Sequence, residues 1–209
     1  APFSLTVRHT TPPALTLPVD PAAQASSSAG AVVSYPSATA TDAVGVASIG
    51  YSQGSGTAFA LGNTTVNVTA TDNYHNATTK SFKVSVQDTT APALTVSGNV
   101  VAEAASASGA VVSYAAATVT DAVTANPTIT YSQNSGTPFA LGDTAVNVTA
   151  KDAANNTTAK AFTVTVRDTT GPAISAPANI VAEATSADGA TATFSATATD
   201  LVDGTVPVT

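Results

Sequence analysis

The chain has 209 residues, a formal net charge of −7, only 9% charged residues and no Cys, Met or Trp. That excludes a disulfide framework and thiol chemistry. The acidic balance argues against nucleic acid or an anionic membrane surface as partner, and no run reaches the roughly 18 apolar residues of a membrane span.

Three seams organise the sequence: Val7–Pro13, Val86–Pro92 and Val166–Pro172, at offsets of 79 and then 80 residues. A repeat of this length predicts an array of small β-domains. The reading divides the chain into 1–9, the last strand of a preceding repeat; 10–88 and 89–168, two full repeats; and 169–209, the start of a third that stops midway.

Each full repeat opens on a short strand (Ala14 to Leu17, Ala93 to Val96), then a Ser/Ala/Gly turn ending at Gly30 or Gly109. A strand through Val32–Tyr35 or Val111–Tyr114 follows, then a loop carrying Asp42 or Asp121, then Ile49–Tyr51 or Ile129–Tyr131. Gly56–Gly62 and Gly136–Gly142 each hold a Phe and a Leu between glycines, which predicts a crossover plugging one end of the core. The repeat closes on two strands, Thr65–Ala70 and Phe82–Gln87 in the first copy, Ala145–Ala150 and Phe162–Arg167 in the second. Their period of two puts Phe82, Val84 and Val86 inside and Lys83, Ser85 and Gln87 in water. Phe3–Arg8 carries the same alternation. Between the closing strands lie Asp72–Asn76 and Asp152–Asn156, polar segments suited to hairpin turns. Six or seven short strands per repeat predict an all-β fold: tandem immunoglobulin-like antiparallel β-sandwiches. Phe59, Leu61, Val66, Val68, Phe82, Val84 and Val86 are expected in the first core.

The string Ser-Gly-x-x-Phe-x-Leu-Gly-x-Thr-x-Val-x-x-Thr-Ala-x-Asp-x-x-x-Asn, at Ser55–Asn76 and Ser135–Asn156, resembles the hyalin repeat. So do the Asp-Thr-Thr-x-Pro seam and Val101-Ala102-Glu103-Ala104, with a third copy from Val181-Ala182-Glu183-Ala184 to Val208. The resemblance implies an immunoglobulin-like fold in extracellular, often adhesive tandems, here of the cysteine-free bacterial type. Repeat 1 departs from it, with His9 at the seam Asp and Gln24 at the Glu.

Catalysis is not expected. The only histidines, His9 and His75, do not recur in the second repeat, and no nucleophile elbow, phosphate loop or zinc pattern is present. The acids are read as lying in loops, turns and seams, except Glu103 and Glu183 in the second half of the opening strand. Strand alternation brings Asp88, Asp121 and Asp152 toward one junction, with Gln24 nearby. It brings Glu103, Asp168 and Asp200 toward the next, with Asp203 a further candidate. Two readings stand side by side. Each Asp caps its own turn and needs no metal, or oxygens from several loops hold Ca²⁺ and stiffen the hinge. Under the second reading, the seam of His9, Asp42 and Asp72 binds weakly or not at all, and the seam of Glu103, Asp168 and Asp200 better. No other cofactor is implied.

The function expected is a stalk, fibre or adhesin scaffold outside the cell or at its surface. Its partners are neighbouring repeats of a longer chain or other copies in a fibre, without nucleic acid or membrane insertion. Two alternatives remain: an accessory module binding a carbohydrate or surface protein, and spacer repeats attached to a catalytic domain outside this segment.

Overall fold

The computed structural model describes residues 2–208, and these contain strands and no α-helix. In chain order the strands are β1 (Ala14–Thr16), β2 (Ala22–Gln24), β3 (Ala31–Val33), β4 (Thr39–Thr41), β5 (Val46–Tyr51), β6 (Thr57–Phe59), β7 (Gly62–Asp72) and β8 (Ala77–Gln87). The second copy repeats the set as β9 (Ala93–Thr95), β10 (Val100–Glu103), β11 (Ala110–Val112), β12 (Thr118–Thr120), β13 (Thr128–Tyr131), β14 (Thr137–Phe139), β15 (Gly142–Lys151) and β16 (Thr157–Arg167). The third begins with β17 (Ala173–Ser175), β18 (Thr197–Asp200) and β19 (Gly204–Val206). By contacts the chain forms two compact units, one of residues 1–93, 120–128 and 151–157, the other of 94–119, 129–150 and 158–209.

In the first unit, β2, β8, β7 and β5 form a four-stranded sheet in that order, and β1–β4 and β3–β6 pair separately. Their apolar faces meet in one core: Leu15 from β1, Val33 from β3 and Phe59 from β6 pack with Val66, Val68, Phe82, Val84 and Val86. The register follows the alternation, since Phe82, Val84 and Val86 are buried while Lys83 and Gln87 are exposed. A one-residue slip would turn all three outward. In the second unit β10, β16, β15 and β13 repeat the sheet order, over a core of Leu94, Val112, Phe139, Val146, Val148, Phe162, Val164 and Val166.

Four features differ from the expectation. Each copy has eight strands, and one pairing in each is parallel: β2 with β8 and β10 with β16. The segment from β1 to β2 crosses from one layer to the other, so β2 arrives beside the last strand running in the same direction. Leu61, expected in the core, is 42% exposed, as is Leu141; the buried Phe59 alone plugs the core end, and Leu61 lines an open cleft. Phe3–Arg8 forms no strand, and Phe3, Leu5 and Val7 are exposed, because a strand exists only through ladder hydrogen bonds, and none is assigned to these residues. Not every acid off the opening strand is in a loop: Asp72, Asp143 and Asp200 lie within β7, β15 and β18, whereas Glu183 lies in no strand. Ala1 and Thr209, the outermost residues of the 1–9 and 169–209 stretches, lie outside the described residues.

Tyrosines lock each core. Tyr35 donates its hydroxyl to the Gln53 carbonyl, and Tyr114 does the same to Gln133. Their rings stand edge-on against Phe82 and Phe162, at 4.9 and 4.8 Å between centroids. Burial pushes both hydroxyls above their usual pKa, and the neighbouring Tyr51 or Tyr131 adds to it.

Candidate metal centre

The turn of the β7–β8 hairpin is built around Asp72, the last residue of β7. Oδ1 of Asp72 accepts the backbone N–H groups of Tyr74 and Asn76, both at 2.8 Å, and Oδ2 accepts the Asn76 side-chain amide at 2.7 Å. Burial alone pushes this carboxyl up, but the hydrogen bonds from Asn76 and Tyr74, helped by the charge of His9, hold it below its ordinary value. The β15–β16 hairpin repeats the device, with Asp152 accepting from the Asn156 backbone and side chain, each at 2.7 Å. The turns place His75 at φ +66° and Asn155 at φ +74°, a left-handed conformation in which Asn and His are enriched.

Five further aspartates also cap their own loops. Oδ1 of Asp42 takes the Val44 N–H at 2.9 Å, and Oδ1 of Asp121 takes those of Val123 and Thr124 at 2.8 and 2.7 Å. Asp200 does the same for Val202 and Asp203. At the seams, Asp88 accepts from Thr90 and from the Gln24 amide at 3.1 Å each, and Asp168 accepts from Thr170. Turn formation therefore accounts for one oxygen of each residue.

It does not account for their convergence. His9, Asp42 and Asp72 form one group, Asp88, Asp121 and Asp152 a second, and Asp168, Asp200 and Asp203 a third, with the candidate ligand atoms of each group within 4.8 Å of one another. The first two groups lie wholly within the first unit and the third within the second. Oδ2 of Asp88 is buried and has no hydrogen-bond partner. An unpaired carboxylate oxygen among two further carboxylates is costly unless a cation completes it, so this donor set fits a hard divalent ion.

Glu103 stands apart from the third group. Its carboxylate accepts the backbone and hydroxyl donors of both Thr169 and Thr170, at 2.6 to 3.1 Å. Those bonds, the Thr169 hydroxyl first, draw its pKa down to about 2. Asp203 fills the place beside Asp168 and Asp200. In the first copy Gln24 does Glu103's work, its Oε1 accepting from Thr89. Asn76 and Asn156, read from sequence only as turn residues, fasten each hairpin carboxylate. The signal was the recurring Asp-x-x-x-Asn.

A cleft of about 450 Å³ opens beside Asp88, lined by Leu61, Val86, Val123, Thr124 and the Ala153–Ala154 turn. Its walls hold no acid–base or nucleophile–base pair.

The family model for the HYR domain matches residues 8–86 and again 87–166. The chain belongs to the HYR domain family. No curated protein sequence matches it. Among solved structures, the HYR tandem is similar to Drosophila N-cadherin EC1-4, with 16% identity, 76% of this chain and 50% of that chain covered, and a TM-score of 0.37. It is also similar to protocadherin gammaB7 EC3-6 in a cis-dimer structure (13% identity, 90% and 61% covered, TM-score 0.33) and to the human Desmocollin-1 ectodomain (13%, 78% and 43%, TM-score 0.30). The HYR chain spans about half the length of these neighbours.

Proposed function

We propose that this HYR tandem is a non-catalytic segment of an extracellular or cell-surface array, working as stalk, fibre or adhesin scaffold. The recurrence of one core and one seam layout at offsets of 79 and 80 residues carries the reading: selection on length and stiffness copies structure, whereas a catalytic site needs only one copy. The mechanical units are 10–88 and 89–168, and the array continues through neighbouring repeats or other copies. Ca²⁺ at Asp88, Asp121 and Asp152 ties the loops at 120–128 and 151–157 to the seam, and a second ion is held by Asp168, Asp200 and Asp203. The buried, unpaired Oδ2 of Asp88 supports the first of these sites.

Pulling single molecules of the 209-residue chain tests the scaffold role. Two unfolding events of equal length are expected, each releasing about 25 nm, from roughly 3.5 Å per extended residue less the folded span. One low-force event, or none, is incompatible with two mechanical units.

A further inference from the structure

The first seam differs from the second in one ligand, and that ligand changes the chemistry. Where the second seam has the Asp88 carboxylate, the first has the imidazole of His9. Its Nε2 lies 3.3 Å from Oδ1 of Asp42 and 3.3 Å from Oδ2 of Asp72. The Asp42 and Asp72 side chains are 3% and 0% exposed and that of His9 is 17% exposed, while the Nε2 atom itself is buried and makes no hydrogen bond.

We propose that His9, Asp42 and Asp72 form a site for a borderline transition-metal ion of the Zn²⁺ class, separate in kind from the all-carboxylate seams. Zinc binds nitrogen and carboxylate oxygen at about 2.0–2.1 Å, so the ligands of a tetrahedral site stand about 3.3–3.4 Å apart. Both measured edges from Nε2 match that spacing. Calcium prefers oxygen alone, and nitrogen in place of a carboxylate moves preference toward zinc, cobalt or nickel.

The three ligands are held before any ion arrives. Asp72 is fixed by Asn76 and Tyr74, and Asp42 by the Val44 N–H. His9 is fixed by the Asn76 amide on its carbonyl at 3.2 Å and by the Tyr74 ring at 5.8 Å between centroids. An open cleft of about 400 Å³ borders the cluster, lined by His9, Thr11, Pro12, Ala14, Thr41, Asp42 and Ala43. It admits an ion and leaves room for water as a fourth ligand. The competing arrangement is a protonated imidazole paired to both carboxylates, with no metal at all.

Calorimetric titration of the metal-stripped chain with Zn²⁺ separates the two, with Co²⁺ absorption as a second readout. One Zn²⁺ per chain is expected, undisplaced by millimolar Ca²⁺, with the strong visible bands of four-coordinate Co²⁺. His9→Ala should weaken it by more than the roughly 10–100-fold typical of losing an outer-shell partner. His75→Ala, in the exposed hairpin, should leave it unchanged. His9→Asp should lose Zn²⁺ and gain Ca²⁺ binding, reproducing the second seam, with circular dichroism confirming that each variant folds. Zn²⁺ binding equal in wild type and His9→Ala, binding that disappears with His75→Ala, or no binding in the folded wild type would each overturn the proposal. Absence of Ca²⁺ binding at the other seams would leave it standing.

Discussion

The side-chain amide of Asn156 donates to Oδ2 of Asp152 at 2.7 Å. The same amide reaches the backbone carbonyl of Asp88 at 3.1 Å, so one residue fastens both the hairpin and the seam. Asn76 makes the equivalent pair of bonds to Asp72 and to the His9 carbonyl.

Asn156→Ala removes both bonds while Asp152 stays buried. A loss of about 1.5–3 kcal/mol is expected, the range for hydrogen bonds to charged groups. Denaturant unfolding of the variant beside the wild type measures it.

Two glycines with almost the same backbone should respond differently. Gly109 (φ +103°) and Gly142 (φ +93°) both lie in the left-handed half of the map, but a Cβ on Gly109 would come within 1.9 Å of the Phe139 carbonyl oxygen, whereas one on Gly142 meets nothing within 4 Å. Gly142→Ala should cost about 1–2 kcal/mol, from the conformation alone. Gly109→Ala should stop β11 and β14 from closing and leave the second copy unfolded. Thermal melts with one transition lost in Gly109→Ala and both kept in Gly142→Ala are the expected outcome.

The Phe and Leu between the recurring glycines also separate. Phe139 is fully buried and Leu141 is 42% exposed. Phe139→Ala should cost about 3–5 kcal/mol, as large cavities do, and Leu141→Ala less than about 1 kcal/mol, as surface changes do. Equal losses would place the Leu back in the core.

Glu103 predicts an acid limb. Its pKa falls from an ordinary 4.5 to about 2 in the folded chain, so the unfolded state binds its proton first. The stabilisation is complete above about pH 4.5 and fades as pH falls toward 2. Glu103→Gln should flatten stability over that window and leave neutral-pH folding intact, because Gln24 fills the same place in the first copy. A wild-type and variant pair with parallel stability curves from pH 5 to 2 would refute it.

Much of this was legible in the residues. The alternation in Phe82–Gln87 and Phe162–Arg167 declared the strands and their buried faces, and the doubled seam declared the period. The parallel pairing of β2 with β8 and of β10 with β16 was not legible, since a three- or four-residue strand carries no mark of its direction. Leu61 misled because hydrophobicity alone cannot tell a core plug from a cleft wall. Phe3–Arg8 shows that pattern without a partner strand makes no sheet. At the seams, strand order brings Asp88, Asp121 and Asp152 toward one junction, and their candidate ligand atoms lie within 4.8 Å of one another. The engagement of Glu103 by Thr169 and Thr170 was not legible, because the Thr-Thr of the seam read as linker.

The central claim is that cations hold the seams, and melting with and without Ca²⁺ tests it most directly. A ligand at 100 times its Kd adds about 2.7 kcal/mol of stability. The wild-type chain in millimolar Ca²⁺ should melt several degrees higher than in chelator, and Asp88→Asn should lose the part of that gain that comes from its own seam. Identical wild-type melting in Ca²⁺ and chelator would contradict the claim at the two all-carboxylate seams and leave Asp88, Asp121, Asp152, Asp168 and Asp200 as turn formers alone.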